Sequence, residues 1–433
     1  MKAPRELCFE LLLETERSKS YSNIALDNAL RRNAGLDARD KRFITALYYG
    51  TIERMLTLDA VISLYSKRPT ASLSPDVRAA LRMGIYQLLY MDSVPDSAAV
   101  NESVGLLKRD KKIGASGFVN AVLRSFIRDG KRLPTGRTRL ERLSIEYSCP
   151  QWLIKSWTRE YGEAAVASIL SSSLESPPVT LRLNSCRFSR EEILSCLELD
   201  GADIEEIPGF PDSYNLRSGS VEELSAYKKG MLYVQDLSSQ IAALSLEALP
   251  GQTVIDVCAA PGGKSFTVAQ HMKDSGRIYS YDIHKGRVGL IAEGAKRLGL
   301  KSVTAGLNDA SVYSCDTPMA DRVLCDVPCS GLGVIRRKPE IKYQSPEEAD
   351  SLPELQYKIA ATSLGYLKPG GIMIYSTCTL RRCENDNIVK RLLDEHSELE
   401  PENIPGYSSP TVTIIPEPQG KDGFFIARLR KRG

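Results

Sequence analysis

Apolar residues recur at steps of three and four through the first 130 residues. Five segments carry this spacing: ELCFELLLETE, NIALDNALRR, DKRFITALYYGTIERMLTLDAVISLY, SPDVRAALRMGIYQLLYM and GASGFVNAVLRSFIRDG. Such spacing places apolar side chains on one face of a helix. Ser74-Pro75-Asp76 fits a helix start, with an N-cap residue followed by proline at the first helical position. The pattern predicts an all-α bundle.

The pattern becomes mixed between residues 131 and 230. KRLPTGRTRLERL, within 131–150, is a basic run broken by proline and glycine, and is either a linker or a surface that touches phosphates. A helix around 151–172, the strand PVTLRLN (178–184), a helix over 189–199, a strand near 202–207 and a further short strand are predicted next. These elements predict a small α/β unit that ends near Gly230.

Strands alternate with helices from Gln252 onward. The predicted strands are TVIDV (253–257), RIYSYD (277–282), SVTAG (302–306), DRVLCD (321–326), GIMIYST (371–377) and GFFIARL (423–429), with helical stretches between the first five. This alternation predicts a parallel, doubly wound sheet whose ligands lie at the carboxyl ends of the strands. The fold class is therefore α/β, with domains predicted at 1–135, 136–230 and 231–433.

Charge is unevenly distributed along the 433 residues. Residues 1–150 contain 25 Lys and Arg against 17 Asp and Glu, whereas the rest contains 32 against 37. A basic N-terminal part followed by a slightly acidic remainder is compatible with a polyanion-binding module, although solvated helix faces would give the same charge distribution. No apolar run reaches the length of a membrane span, and no secretory signal is recognisable, so a cytoplasmic location is expected. The ten cysteines are then expected to be reduced thiols.

The first strand of the alternating region runs into CAAPGGKS (258–265). Small residues let the backbone approach a ligand, and the following helix N-terminus offers free N–H groups. Gly263-Lys264-Ser265 match the end of a phosphate-binding P-loop, but Cys258 stands where that motif requires its first glycine. The sequence therefore favours a nucleoside cofactor other than a nucleoside triphosphate.

Two acidic residues follow the next two strands. Asp282 ends the second strand, where a carboxylate can accept hydrogen bonds from ribose hydroxyls. Asp309 lies just past the third strand, where it could accept from an adenine amino group. Each acid alone is more often a helix cap or a surface residue, so the prediction depends on the order of the three elements.

Two cysteines follow the fourth and fifth strands. Cys329 lies in DVPCSG and Cys378 in STCT, so both should open into the crevice of the cofactor loop. A thiolate that adds to C6 of cytosine makes C5 nucleophilic towards a sulfonium methyl donor, which is covalent catalysis. Addition requires charge relief at N3. Asp326 is the predicted group, with Lys264 adjusting the charge around it.

Two other interpretations of these cysteines remain. A cysteine at a strand end is often a small core hydrophobe. Alternatively, Cys325, Cys329, Cys378 and Cys383 approach the spacing of zinc ligands. Cys325 lies inside the apolar strand and should face the core, and Cys383 should lie at a helix start. No metal is therefore expected.

These motifs together resemble the NOL1/NOP2/Sun family of RNA 5-methylcytosine methyltransferases. The resemblance rests on CAAPGGK (258–264), DVPCSGLGVIRRKPEIKY (326–343), YSTCTL with the following Glu384-Asn385 (375–385) and DGFFIARL (422–429). The first 130 residues resemble a NusB-type RNA-binding domain, through NIALDNAL (23–30), FITALYYG (43–50) and VNAVLR (119–124). The middle unit is expected to be RRM-like.

The resemblance implies residue roles and a substrate. Cys378 matches the nucleophile, Cys329 the cysteine that assists product release, and Asp326 the acid that contacts the base. The resemblance implies an S-adenosyl-L-methionine site formed by Cys258, Ala259, Ala260, Pro261, Gly262, Gly263, Lys264, Asp282, Asp309 and Asp326. Asn308 is the alternative to Asp309 for the adenine contact. The substrate implied is one cytosine of small-subunit (16S) rRNA before full assembly, and the protein is expected to act as a monomer.

Several basic residues are predicted to contact RNA phosphates. They are Arg336, Arg337 and Lys338 after the Pro-Cys motif, and Arg31, Arg32, Lys41, Arg42 and the Lys108–Lys112 cluster in the front domain. A solvated turn is the alternative for the first group. Two other functions remain open: a non-catalytic RNA-binding protein on a methyltransferase-like fold, and a methyltransferase that acts on tRNA.

Overall fold

The computed structural model describes residues 2–18, 22–109, 113–418 and 420–433. The chain divides into two compact units. The helical unit comprises residues 1–175 together with 335–344, and the α/β unit comprises residues 176–334 and 345–433. None of the helices in these described ranges has the length and apolar content needed to cross a membrane.

The helical unit is an all-α bundle, as the spacing of apolar residues predicts. Its helices are α1 Pro4–Ser18, α2 Ser22–Arg32, α3 Ala38–Glu53, α4 Met55–Tyr65, α5 Pro75–Tyr90, α6 Asp96–Arg109, α7 Ile113–Arg128, α8 Arg139–Glu146 and α9 Gln151–Ser172. Residues one helical turn apart, such as Ile44, Leu47 and Tyr48, are fully buried in one apolar core. Removing these apolar faces from water stabilises the bundle.

The basic run over 131–150 is only partly a linker. Helix α8 occupies its second half and begins with a capping box, in which Thr138 accepts from the N–H of Glu141 and the Glu141 side chain accepts from the N–H of Thr138. This pairing satisfies two backbone donors at the helix start. Thr-x-x-Glu is a local signal of a helix start, which the proline and glycine just before it obscure.

A distant segment completes the helical unit. Residues 335–344 follow the Pro-Cys motif in sequence, and they include a short 3₁₀ helix over Pro339–Tyr343. Glu340 accepts hydrogen bonds from the N–H and hydroxyl of Ser22, and Lys342 and Tyr343 both donate to the carbonyl of Glu53. The segment is therefore anchored on the ends of α2 and α3.

The α/β unit begins with a small antiparallel sheet. Its strands are β1 Val179–Leu183, β2 Asp203–Ile207, β3 Phe210–Ser218 and β4 Leu232–Val234, in the order β2-β3-β1-β4. Helix α10 (Arg190–Leu199) connects β1 to β2, and α11 (Ser225–Lys228) precedes β4. The predicted strands and the helix over 189–199 are present, although β3 is a nine-residue strand, the predicted helix over 151–172 is α9 of the helical unit, and β4 lies beyond Gly230.

The remaining strands form one eight-stranded sheet. They are β5 Thr253–Asp256, β6 Arg277–Asp282, β7 Val303–Leu307, β8 Ala320–Asp326, β9 Leu367–Thr377, β10 Leu399–Pro401, β11 Thr411–Ile414 and β12 Phe424–Lys431. The order is β10-β12-β9-β8-β5-β6-β7, with β11 paired to β12. The accompanying helices are α12 Leu237–Leu244, α13 Gly263–His271, α14 Lys285–Leu298, α15 Pro346–Asp350, α16 Leu352–Leu364 and α17 Asp386–Glu395.

The predicted parallel order is confirmed for the first five strands of this sheet. Pairs β5–β6, β6–β7, β5–β8 and β8–β9 are parallel. The last strand, β12, instead runs antiparallel to β9, β10 and β11. The sheet is therefore mixed, and the carboxyl ends of β5, β6, β7, β8 and β9 share one edge.

Candidate active site

The cofactor loop connects β5 to α13. Gly262 has a φ of 111°, and a Cβ placed on it would lie 2.3 Å from the ring of Phe266. Only glycine fits this left-handed and crowded position. Helix α13 begins at Gly263, so its unpaired backbone N–H groups open at the shared edge. The strand, turn and helix thus follow the predicted order.

Asp282 lies buried at the end of β6 and is connected to the cofactor loop through an arginine. One carboxylate oxygen accepts from the N–H of His284 at 2.9 Å, and the other is 3.1 Å from Nη1 of Arg287. Arg287 also donates to the carbonyl of Ala260 at 2.9 Å. Sequence reasoning missed Arg287, because a basic residue in the first turn of a helix has no distinctive pattern.

Asn308 and Asp309 follow β7 and differ in their partners. Asp309 Oδ1 accepts from the hydroxyl and N–H of Ser311, and these hydrogen bonds lower the pKa of Asp309. Nδ2 of Asn308 is buried and has no hydrogen-bond partner among the described residues. The structure does not distinguish between the two as candidates for the adenine contact, so the choice of Asp309 stays a prediction.

Asp326 and Lys264 form an ion pair at the centre of the shared edge. Lys264 Nζ donates to Oδ2 of Asp326 at 2.7 Å, and the Ser376 hydroxyl donates to Oδ1 at 2.7 Å. Burial lowers the pKa of Lys264, but Asp326, Asp256 and Cys378 together raise it above its usual value. Lys264 therefore stays an ammonium close to Cys378. Sequence reasoning missed Ser376, although it lies two residues before that cysteine.

The sulfur atoms of Cys329 and Cys378 lie 3.2 Å apart. They meet because Asp326 at the end of β8 is paired with Ser376 at the end of β9, so the two following loops start side by side. The hydrogen bond with Cys378, and then burial, raise the pKa of Cys329 well above its usual value. The raised pKa favours a protonated Cys329, and either sulfur can be the donor in this contact. The predicted shared location of the two thiols is confirmed, whereas their roles stay predictions.

Asp256 lies directly beneath this cluster in β5. It is 1% exposed and accepts from the Ser265 hydroxyl at 2.7 Å, while Ser280 donates to Ser265 at 2.8 Å. Burial raises the pKa of Asp256 to about 7. This carboxyl group was not singled out from the sequence, because TVIDV reads as an ordinary buried strand.

The zinc alternative has no support in the geometry. Among the described residues, no group of three His, Cys, Asp or Glu side chains is arranged to hold a metal ion. Cys325 is fully buried within β8, as predicted, and Cys383 lies in the turn before α17.

The basic residues predicted to contact RNA differ in exposure. Arg31, Arg32 and Arg42 are exposed, and Lys41 is partly exposed. Arg336 is buried, whereas Arg337 and Lys338 are partly exposed. Of the Lys108–Lys112 cluster, Lys108 is exposed, and residues 110–112 lie outside the described residues. RNA contact by any of them stays a prediction.

Three family models match successive parts of the chain. Residues 2–128 match the NusB family, residues 149–221 match a ferredoxin-like domain of RsmF/B-like methyltransferases, and residues 243–430 match 16S rRNA methyltransferase RsmB/F. These matches bear out the predicted fold class. The exact predicted domain boundaries stay predictions.

Relatives match along the whole chain. A probable ribosomal RNA small subunit methyltransferase B from Bacillus subtilis is 36% identical and covers 99% of both chains. One from Synechocystis is 36% identical over 100% of both. The crystal structure of PH0851 has a TM-score of 0.84 at 25% identity and covers 100% of this chain and 99% of its own. NSun6 from Pyrococcus horikoshii, solved with SFG, shares the fold over 66% of this chain and 98% of its own, with a TM-score of 0.60 and 22% identity. The full-length matches show that this chain belongs to the ribosomal RNA small subunit methyltransferase B family.

Proposed function

We propose that the protein methylates C5 of a cytosine in small-subunit rRNA, with S-adenosyl-L-methionine as methyl donor and Cys378 as nucleophile. The observation that carries the proposal is the 3.2 Å contact between the Cys329 and Cys378 sulfur atoms beside the Lys264–Asp326 ion pair. The curated relatives from Bacillus subtilis and Synechocystis are named as probable small-subunit rRNA methyltransferases, which supports the choice of RNA.

The residues around the cofactor loop suit S-adenosyl-L-methionine. Gly262 and Gly263 leave room beside a helix N-terminus, and Asp282 offers a buried carboxylate for ribose hydroxyls. The unpartnered Nδ2 of Asn308 could donate to a ring nitrogen of adenine, and Asp309 could accept from its amino group. When bound, the cofactor supplies an electrophilic methyl group.

Cys378 is proposed to begin the reaction as a thiolate. Its sulfur bonds to C6 of the cytosine, and the electrons of the C5–C6 double bond move towards N3. Asp326 relays a proton from the Lys264 ammonium to N3, and N3 returns that proton to Lys264 by the same route after methyl transfer. The positive charge of Lys264 and the S–H of Cys329 both favour the thiolate form of Cys378. C5 is now electron-rich and accepts the methyl group.

Cys329 is proposed to assist the second half of the reaction. The C5 proton leaves to water, its bonding electrons restore the C5–C6 double bond, and the bond between C6 and Cys378 breaks. The departing electron pair stays on the Cys378 sulfur, where the S–H of Cys329 stabilises it by a hydrogen bond. Without this hydrogen bond, the covalent adduct should form and persist.

A methyl-transfer assay with radiolabelled donor and undermodified small-subunit rRNA tests the proposal. Wild-type protein should label the rRNA at a cytosine C5, Cys378→Ala should give neither label nor adduct, and Cys329→Ala should give a slowly migrating protein–RNA band. Cys315→Ala is the matched control, because Cys315 is an exposed cysteine. Reversed behaviour of the two active-site variants contradicts the roles. Labelling of tRNA instead contradicts the substrate, and absence of any transfer favours the non-catalytic alternative.

A further inference from the structure

Two adjacent polar residues are fully buried just before α17. Glu384 and Asn385 are each 0% exposed, in the turn between the Cys378 loop and the helix. A buried carboxylate is costly unless several donors satisfy it. Both side chains form hydrogen bonds with residues of the two loops that carry the cysteines.

Glu384 holds the loop of Cys329. One of its oxygens accepts from the Ser330 N–H at 2.9 Å, and the other accepts from the Ser330 hydroxyl at 2.6 Å. Gln356 donates to Glu384 at 2.9 Å and to the carbonyl of Pro328 at 3.0 Å. The backbone is thus fixed on both sides of Cys329, and Glu384 takes part in each connection.

Asn385 holds the loop of Cys378. Its Oδ1 accepts from the Thr377 hydroxyl at 2.6 Å, and its Nδ2 donates to the carbonyl of Thr379 at 3.0 Å. These two threonines flank Cys378. The amide of Asn385 therefore fixes both neighbours of this cysteine, which requires an acceptor and a donor on the same side chain.

Direct contacts join the two loops as well. The hydroxyls of Ser330 and Thr379 lie 2.8 Å apart, and the Gly333 N–H donates to the Cys378 carbonyl at 2.9 Å. In the first of these contacts, Ser330 is bound by Glu384 and Thr379 is bound by Asn385. Because these two residues are consecutive in the chain, one short turn sets the relative position of both loops.

We propose that Glu384 and Asn385 are positioning residues with divided tasks: Glu384 places Cys329 for product release, and Asn385 places Cys378 for attack. The proposal rests on the proposed function, since the two tasks are steps of that reaction. Neither residue touches the reacting atoms. Each acts through the backbone of the neighbouring cysteine loop.

The division of tasks predicts that two nearly isosteric substitutions change the fraction of covalent adduct in opposite directions. Glu384→Gln replaces one acceptor of Ser330 by an NH₂ group, which should displace Cys329 and slow release. Asn385→Asp replaces the donor to Thr379 by an oxygen, which should displace Cys378 and slow attack. A displacement of about 1 Å lowers rates by up to roughly 100-fold. We expect kcat to fall roughly 10–100-fold in both variants, with KM for RNA nearly unchanged.

The fraction of enzyme in the covalent adduct distinguishes positioning from general damage. Quenched reactions on denaturing gels should show a larger steady-state adduct fraction for Glu384→Gln than for wild type, and a smaller one for Asn385→Asp. Glu402→Gln is the matched control. Glu402 accepts from Arg428 and Arg430 of β12, which pair with Ile374 and Ile372 of β9, so the substitution should leave the adduct fraction unchanged. Ser330→Ala and Thr377→Val should give weaker effects in the same directions, should the first pair fail to fold.

Two results would overturn the inference. One is an unchanged adduct fraction in both variants, and the other is a shift in the same direction in both. Cys329→Ala and Cys378→Ala in the same experiment separate this failure from failure of the proposed function. If Cys329→Ala forms no adduct and Cys378→Ala transfers methyl groups fully, the covalent mechanism itself is wrong.

Discussion

Lys264 in the α/β unit is largely buried and Lys342 in the helical unit is fully buried, but their surroundings differ. Lys264 donates to the Asp326 carboxylate at 2.7 Å, and its pKa is raised. Lys342 is 1% exposed and donates to the Glu53 carbonyl at 2.8 Å, and burial lowers its pKa to about 8. Asp326 accepts directly from Lys264 and offsets its desolvation, whereas Lys342 donates to a neutral carbonyl and the Glu53 carboxylate offsets its burial only in part.

The difference distinguishes a reactive cluster from a structural anchor. In the active site, Lys264 and Asp326 form an ion pair close to two thiols, so they can stabilise charge that appears during a reaction. In the helical unit, Lys342 attaches the 335–344 segment to the end of α3, and its buried charge lowers the free energy of unfolding near neutral pH. Substitutions at the two lysines should therefore have opposite signs.

The largest expected effect is that of Lys264→Met. It leaves the largely buried Asp326 without its cation, which should lower the free energy of unfolding by about 3 kcal/mol. Methyl transfer should also be lost. Chemical denaturation measures the stability change, and Lys264→Met with Asp326→Leu is the matched variant: stability should return in the double variant, but activity should not. Unchanged stability in the single variant would contradict the claim that Lys264, unlike Lys342, stabilises the folded protein.

Asp256→Asn should have the next largest effect, and it depends on pH. The pKa of Asp256 is raised from an ordinary 3.8 to about 7 in the folded protein, so folding favours the protonated form. Stability from this group is fully present below about pH 4 and is lost as pH rises towards 7. Asp256→Asn resembles the neutral form, so it should be about 2 kcal/mol more stable than wild type at pH 8 and nearly equal at pH 4. Equal stability at both pH values would contradict this interpretation.

Lys342→Met should have the smallest effect and the opposite sign to Lys264→Met. Because the folded pKa is about 8 and the ordinary value is 10.5, wild-type stability should rise with pH between these values. The variant should be about 1 kcal/mol more stable at pH 7, since loss of the hydrogen bond offsets part of the gain. Tyr343 still donates to the Glu53 carbonyl in this variant. A destabilised variant at pH 7, or one that retains the pH-dependent rise, would contradict the assignment.

The sequence predicts well which reactive side chains lie close together. Cys329, Cys378, Asp326 and Lys264 each follow a strand of an alternating β–α pattern, and parallel strands bring such positions to one edge. The 3.2 Å contact between the thiols is a consequence of that topology and of the β8–β9 register. Residue spacing alone was sufficient for this part of the site.

Other features depend on contacts between residues far apart in the chain. The direction of β12 was not evident, since an apolar strand without a crossover helix carries no sign of its orientation. The attachment of Lys342 to α3 spans 289 residues, and the short segment PEIKY has no local pattern that predicts it. The partners of Arg287 and Glu384 could likewise not be predicted from the sequence, because they are set by tertiary packing.

The most direct test of the central claim is trapping of the covalent adduct on small-subunit rRNA transcribed with 5-fluorocytidine. Fluorine at C5 cannot leave as a cation, so the adduct should persist after methyl transfer in the wild-type protein. Mass spectrometry of the cross-linked peptide should locate the nucleotide on Cys378. Attachment to Cys329, or no attachment by a protein that methylates the unsubstituted RNA, would contradict the account.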